Sequence, residues 1–326
     1  MTENSKIEWT HHTFSPWRGC TKISPACDNC YAEALNNRAG WNVWGPHADR
    51  VRQKTWRDPV KWNKALEGTG RRERVFCASI ADVFDNHKSI QQEWRDDLWQ
   101  LIKETPNLDW LLLTKRPQNI KKYLPFDWRD GYENVWLGTT VENQEEANRR
   151  IPHLLDVPAK VHFLSCEPLL GPVYLHDIVK RIDACTTEHF DCLDEMEAAA
   201  FRTHSISWVI AGGESGKDAR PSHPDWFRSL RDQCAAANVP FLFKQWGEWG
   251  PDEYAGFGPD PVMEGKIRCA VFDDNTWHQY KDGFHKHSGK EAGEWVFRFG
   301  KKAGGRMLDG VIHDGYPTPT NGRIAG

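Results

Sequence analysis

Short apolar runs recur along the chain, and each ends in polar or glycine-rich residues. They are WTHHTFSPWRGC near the start, RVFCASIADVF (74–84), LDWLLLTKRP (108–117), NVWLGTTVEN (134–143), KVHFLSCEPLLG (160–171), ISWVIAGGESG (206–216) and PFLFKQWG (240–247). Unbroken apolar runs of this length suit strands buried on both faces, as in parallel sheets. Between several of them lie helix-like segments. SIQQEWRDDLWQLIKETP places Ile90, Trp94, Leu98 and Leu101 near a helical period, with Ser89 as N-cap. YAEALNNR and NQEEANRRIPHLL read the same way. HPDWFRSLRDQCAAANVP has Pro224 in its first turn and Asn238 as its stop.

Alternating strands and helices predict βα units, and seven of them favour one α/β domain. The expected fold is a partial or complete (β/α) TIM-like barrel over 1–247. Residues 172–205 read as an insertion. Residues 248–326, rich in Gly and aromatics, read as a C-terminal extension with strands at IRCAVF and EWVFRF, packed on the barrel.

In such barrels function gathers at the C-terminal ends of the strands. Here those ends carry Ser79 and Asp82; Thr114, Lys115 and Arg116; Thr139, Thr140 and Glu142; Ser165 and Glu167; Gly212, Gly213, Glu214 and Ser215; Lys244 and Gln245. The set predicts a polar site on one rim. Lys115, Arg116, Lys244, Gln245 and Trp246 combine cations with an aromatic ring, which suits a nucleotide, a flipped base or the adenine and carboxylate of a cofactor. GGESG could cradle a phosphate, but Glu214 would oppose the anion.

The chain has 326 residues, 39% of them hydrophobic, and a net charge of −4. That charge lacks the global basic balance of many nucleic-acid binders. No apolar run reaches the roughly 18 residues of a membrane span. The first residues are polar and lack the apolar core of a secretory signal, so the expected location is the cytoplasm. Seventeen Trp must fill core as well as line any pocket.

Three of the nine Cys lie close together: Cys20, Cys27 and Cys30, in a C-x6-C-x2-C pattern within a polar loop. A disulfide would leave one thiol over. A structural zinc needs a fourth ligand, for which His11 and His12 are nearby in sequence. A [4Fe–4S] cluster held by three thiolates leaves one iron open. An open iron can chelate S-adenosylmethionine, pass an electron to its sulfonium and release a 5′-deoxyadenosyl radical. Cys185, His189 and Cys192 form a weaker C-x3-H-x2-C group that reads as surface, as do His278, His285 and His287.

The opening IEWTHHTFSPWRGCTKISPACDNCYAE, with LLTKRP, FLSCEPLLGP, WVIAGGESG, PFLFKQWGEW and GKKAGGRMLDG, resembles the phage-associated Gp37/Gp68-like three-Cys-motif family of the DUF5131 type. These segments span nearly the whole chain, in order. The family is similar in turn to divergent radical S-adenosylmethionine enzymes, although the first Cys gap here is six residues where three is common, and Asn29 precedes the last Cys. The resemblance implies a radical-SAM type of barrel, a [4Fe–4S] cluster on Cys20, Cys27 and Cys30, and S-adenosylmethionine as cosubstrate. It points to Ser79 and Asp82 for the methionine amine and to Thr140 and Glu142 for the ribose. Lys115, Ser165 and Glu167 complete the expected cofactor side. Arg116, Glu214, Lys244, Gln245 and Trp246 form the expected substrate side. DNA or another nucleic acid is the expected substrate or partner, a protein partner is a second expectation, and no membrane association is expected. The rival readings are a zinc- or cluster-stabilised binding protein without radical chemistry, and a barrel hydrolase using Asp82, Glu167 and Glu214.

Overall fold

The structure is a computed structural model that describes residues 3–175, 206–251, 269–273, 275–280 and 294–317. Seven parallel strands form one sheet in sequential order. They are β1 (His12–Phe14), β4 (Glu73–Cys77), β5 (Leu108–Thr114), β6 (Val135–Thr140), β7 (Val161–Cys166), β8 (Trp208–Gly212) and β9 (Phe241–Gln245). The first run is shorter as a sheet strand than the sequence implies. Its continuation, β2 (Trp17–Arg18), leaves the sheet and pairs antiparallel with β3 (Val51–Arg52). That departure carries the chain into the Cys loop, which ends in α1 (Tyr31–Ala39).

Strand alternation sorts the core into two faces. Phe76, Leu111, Trp136, Phe163, Trp208, Ile210 and Leu242 form one cluster with Trp9. Their neighbours along each strand face the other way, onto α3 (Gln92–Glu104), α5 (Gln144–Leu155) and α6 (Pro224–Ala236). The rings of Trp9, just before β1, and Phe163 on β7 lie 6.4 Å apart although β1 and β7 are distant in the sheet order, so the sheet curls. It is a half-barrel, and the seven strands do not close on themselves.

The segment Val311–Tyr316 runs along the outer edge of β9, with Phe243 N–H donating to His313 O and Gly315 N–H to Phe241 O. Tyr316 donates from its hydroxyl to Glu8 O at 2.9 Å, lies under Arg74 at 4.2 Å and packs on Trp208. It links the β9 side to the chain just before β1, and it covers an edge that would otherwise present unpaired amides.

The helices follow the sequence with local differences. α3 begins at Gln92, not after Ser89; Ser89 instead accepts from Arg50 N–H at 2.8 Å. Asn143 caps α5 by accepting from Glu146 N–H. Pro224 opens α6, and Asn238 sits just beyond its end at φ +53°. α2 (Asp58–Ala65) and the β2–β3 ribbon have no counterpart in the expected elements. Beyond the barrel, β10 (Trp249–Gly250), β11 (Cys269–Asp273), β12 (Thr276–Tyr280) and β13 (Glu294–Arg298) form an antiparallel sheet in the order β10-β13-β11-β12. Phe272 and Trp277 of this sheet pack on His223 and Trp226 at the start of α6. Among the described residues no helix is long and apolar enough to cross a membrane. The 172–205 insertion lies almost entirely outside the described residues, as do Cys185, His189, Cys192, His285 and His287.

Gly138 on β6 sits under the Phe163 ring; a Cβ there would lie 2.4 Å from ring atoms. Gly138→Ala should therefore destabilise the chain by about 1–3 kcal/mol through overpacking. In urea unfolding, Phe163→Leu should recover part of that loss, so the double variant costs less than the sum of the singles. Strict additivity would mean that the ring is not what excludes the methyl.

Candidate functional site

A cleft of about 290 Å3 opens at the C-terminal ends of the strands. Its floor includes Trp9 and Phe76, members of the inner apolar cluster. Alternation carries the same inner face upward: past Leu111 and Leu113 stands Lys115, past Trp136 stands Thr140, past Phe163 stand Ser165 and Glu167, and past Leu242 stands Lys244. Lys115, Thr140, Ser165, Glu167 and Lys244 line the cleft, as do Ser79, Asp82, Arg116, Glu214 and Gln245. So do Cys20, Cys27 and Cys30. The structure thus brings together, around one cavity, every expected site residue except Glu142 and Trp246.

Those two have other work. Glu142 is fully buried; Arg150 donates from Nη1 to its Oε2 at 2.8 Å, and Ala26 N–H donates to its Oε1 at 3.2 Å. It cannot turn to a ribose without abandoning a buried guanidinium. Trp246 is core: it packs edge-on against Phe227 and Phe243, and its indole N–H donates to Met307 O.

Most carboxylates of the rim hold the Cys loop. Asp82 accepts from Phe84 N–H, Thr114 Oγ1, Lys115 N–H and Arg116 Nη1, which leaves it no free face for an amine. Arg116 in turn donates to Cys20 Sγ at 3.6 Å and to Thr21 O at 2.9 Å. Arg50 pairs with Asp85 at 2.9 Å and donates to Thr21 Oγ1 at 2.7 Å. Glu214 takes both nitrogens of the Arg220 fork and also accepts from Asn29 Nδ2 at 3.0 Å. Arg220 continues to Pro25 O and Asp28. With Arg150 and Glu142 under Ala26, four arginine–carboxylate pairs grip the loop from Cys20 to Asn29. Arg220–Glu214 is bidentate, and in the other three pairs the guanidinium or carboxylate spends its remaining sites on further protein groups, which fixes direction as well as distance.

Two glycines permit the close packing. Gly19 has φ +109°, and a Cβ there would lie 2.3 Å from Val43 O. A Cβ on Gly213 would lie 1.8 Å from Trp246 O, so the turns after β8 and β9 run in direct contact.

The seven described cysteines are all free. Cys27 is buried, and Cys20 and Cys30 are half-buried at the cleft. Burial pushes the Cys20 thiol up to about 11, while the Arg116 guanidinium pulls the other way. Among the described residues, no three His, Cys, Asp or Glu side chains converge on a point that would hold a single metal ion. His11 and His12 do not supply a fourth ligand to the loop: His11 Nδ1 accepts from Arg74 N–H, and His12 pairs with Glu73 at 2.7 Å and stacks on Trp62. The hydrolase reading loses its groups as well, because Asp82, Glu167 and Glu214 are each tied to a cation.

On the far wall Lys244 Nζ donates to both Glu167 oxygens, at 2.7 and 2.8 Å. Gln245 Nε2 donates to Glu167 Oε1 and Ser215 Oγ, and its own Oε1 is buried with no hydrogen-bond partner among the described residues. Tyr31, directly after Cys30, donates from its hydroxyl to Ser79 O. The sequence offered no sign of Arg50, Asp85, Arg150 or Arg220 as parts of this site. Their signal is spatial: each meets the loop only after the strands have been aligned.

No curated protein matches the chain. Among solved structures, spore photoproduct lyase complexed with a dinucleoside spore photoproduct superposes with a TM-score of 0.36 at 12% identity. The overlap covers 82% of this chain and 66% of that one, just under two thirds of its length, a likeness too loose to assign a role to any residue. The family model described as a protein of unknown function, DUF5131, matches residues 4–317, and the chain therefore belongs to the DUF5131 family.

Proposed function

We propose that this protein is a radical S-adenosylmethionine enzyme whose [4Fe–4S] cluster is held by Cys20, Cys27 and Cys30. The observation that carries the reading is that all three thiols line one cleft at the C-terminal ends of a parallel half-barrel, on a loop fastened by four arginine–carboxylate pairs. The donor set fits the group. Three free thiols share a cavity, neither His11 nor His12 completes a zinc cage, and the Arg116 N–H aimed at Cys20 Sγ places a cation beside that ligand. When bound, the cluster and S-adenosylmethionine supply reductive carbon–sulfur cleavage and hydrogen abstraction from a substrate.

The chain's own residues do the rest. Trp9 and Phe76 make an apolar floor that keeps water from the reacting end. Ser79, Thr140 and Ser165 present hydroxyls along the wall for the cosubstrate. The Lys244–Glu167–Gln245 chain sets a fixed, neutral polar wall opposite the loop. Asp82, Glu142 and Glu214 position the loop rather than touch the cosubstrate.

Protein purified without oxygen should carry about four irons per chain. With dithionite and S-adenosylmethionine it should release 5′-deoxyadenosine, measured by chromatography. Cys27→Ala should remove both the iron and the product. One zinc per chain and no cleavage would overturn the assignment in favour of a metal-stabilised binding protein.

A second prediction concerns the grip on the loop. Arg220 is partly exposed, so Arg220→Ala should shift thermal unfolding by only a few degrees, roughly the effect of about 1 kcal/mol. It should nevertheless speed loss of iron to a chelator several-fold, because Pro25, Asp28 and Glu214 lose their common partner. An unchanged chelation rate would show that this pair does not hold the loop.

A further inference from the structure

The cleft has a charge surplus that the loop does not absorb. Five cations line it, Lys22, Lys115, Arg116, Lys244 and Lys301, against three carboxylates, Asp82, Glu167 and Glu214. Arg116 is spent on Asp82, Lys244 on Glu167 and Lys22 on Glu33, while Glu214 is spent on Arg220 from outside the cleft. Lys115 and Lys301 remain with no ion-pair partner among the described residues. The whole chain is net negative, so this positive pocket is local and is not a reflection of overall charge.

The lining also asks for a ring with its own hydrogen bonds. Gln245 Oε1 is an acceptor with no partner among the described residues, on a side chain only 4% exposed. The indole N–H groups of Trp9 and Trp44 are buried donors with no partner among the described residues. Tyr31 offers a ring that is 59% exposed at the same cleft. Aromatic faces beside an unmatched donor and acceptor suit a nucleobase.

We infer that the substrate is a phosphorylated nucleotide, with Lys115 and Lys301 receiving its phosphate and Gln245 facing its base. The inference rests on the proposed function for where the reaction occurs, but its charge argument does not depend on that reading. Free mononucleotide and single-stranded nucleic acid share this chemistry.

Binding separates the sources and tests the inference. Thymidine monophosphate, hexathymidylate, thymidine and citrate are titrated into the anaerobically purified protein, with tryptophan quenching and calorimetry as readouts. At least one phosphorylated probe should bind at least about tenfold more tightly than thymidine or citrate, with an affinity that falls as salt rises. A tighter hexathymidylate assigns a strand, and equal or weaker binding assigns the free nucleotide. Lys115→Ala/Lys301→Ala should weaken the phosphorylated probe by about tenfold or more and flatten the salt dependence. Lys115→Arg/Lys301→Arg should keep the binding, which guards against a misfolded variant.

The inference fails if thymidine or citrate binds as well as the phosphorylated probes, if none of those binds, or if the alanine variant is unchanged. Phosphate-dependent binding without 5′-deoxyadenosine release would sink the radical reading alone. Release without such binding would sink this inference alone.

Discussion

The loop from Cys20 to Asn29 is irregular, and its shape depends on arginine–carboxylate pairs, three of them buried and one, Arg220–Glu214, partly exposed. Arg116–Asp82, Arg50–Asp85, Arg150–Glu142 and Arg220–Glu214 each reach one part of it. A loop of this length would lose its conformation to chain entropy unless its backbone were fixed at several points. Burying these charges is costly, and stripping one partner from a buried pair typically costs about 3–5 kcal/mol. Their return is in direction. A guanidinium fork accepts few geometries, so four of them leave the three thiols little freedom to wander from the cleft.

The strand ends acquire a different meaning in this light. A ring of carboxylates at the rim of a barrel invites a reading as acid–base groups. Here Asp82, Glu142 and Glu214 are committed to holding protein. The groups that line the cavity without gripping the loop are hydroxyls, lysines and Gln245. That division suits a site in which cofactors carry out the difficult chemistry and the protein supplies position, dryness and charge.

Much of this was legible in the sequence. The seven strands followed from their apolar runs, and the rule that function sits at strand ends gathered nearly the whole cleft. Parity along the strands even distinguishes Lys115, Thr140, Ser165 and Lys244, which continue the inner face, from their neighbours. Two residues defeated this reasoning. Glu142 keeps the parity of Thr140, but it lies beyond the strand, where the chain turns and Arg150 captures it. Trp246 looked like a stacking platform, yet Phe227 on α6 and Phe243 on β9 enclose it. The arginines were illegible for a related reason: Arg220 lies 195 residues from the carbonyl of Pro25 that it meets. No local pattern marks a partner at that separation, because the contact exists only once the sheet has curled. The same holds for the departure of Trp17–Arg18 into a ribbon with a segment that carried no strand signal.

Tyr316 has a consequence for the order of events in a growing chain. Its hydroxyl meets Glu8 O across 308 positions of sequence, at the gap that the seven strands leave open. Every strand of the half-barrel has left the ribosome before this residue does. Until Tyr316 arrives, the open side lacks this contact beside the inner aromatic cluster around Trp9 and Trp208. Contacts this distant in sequence form late, after their loop entropy can be offset by the rest of the sheet. A chain that stops short of Tyr316 would carry all seven strands of the half-barrel and still lack this contact.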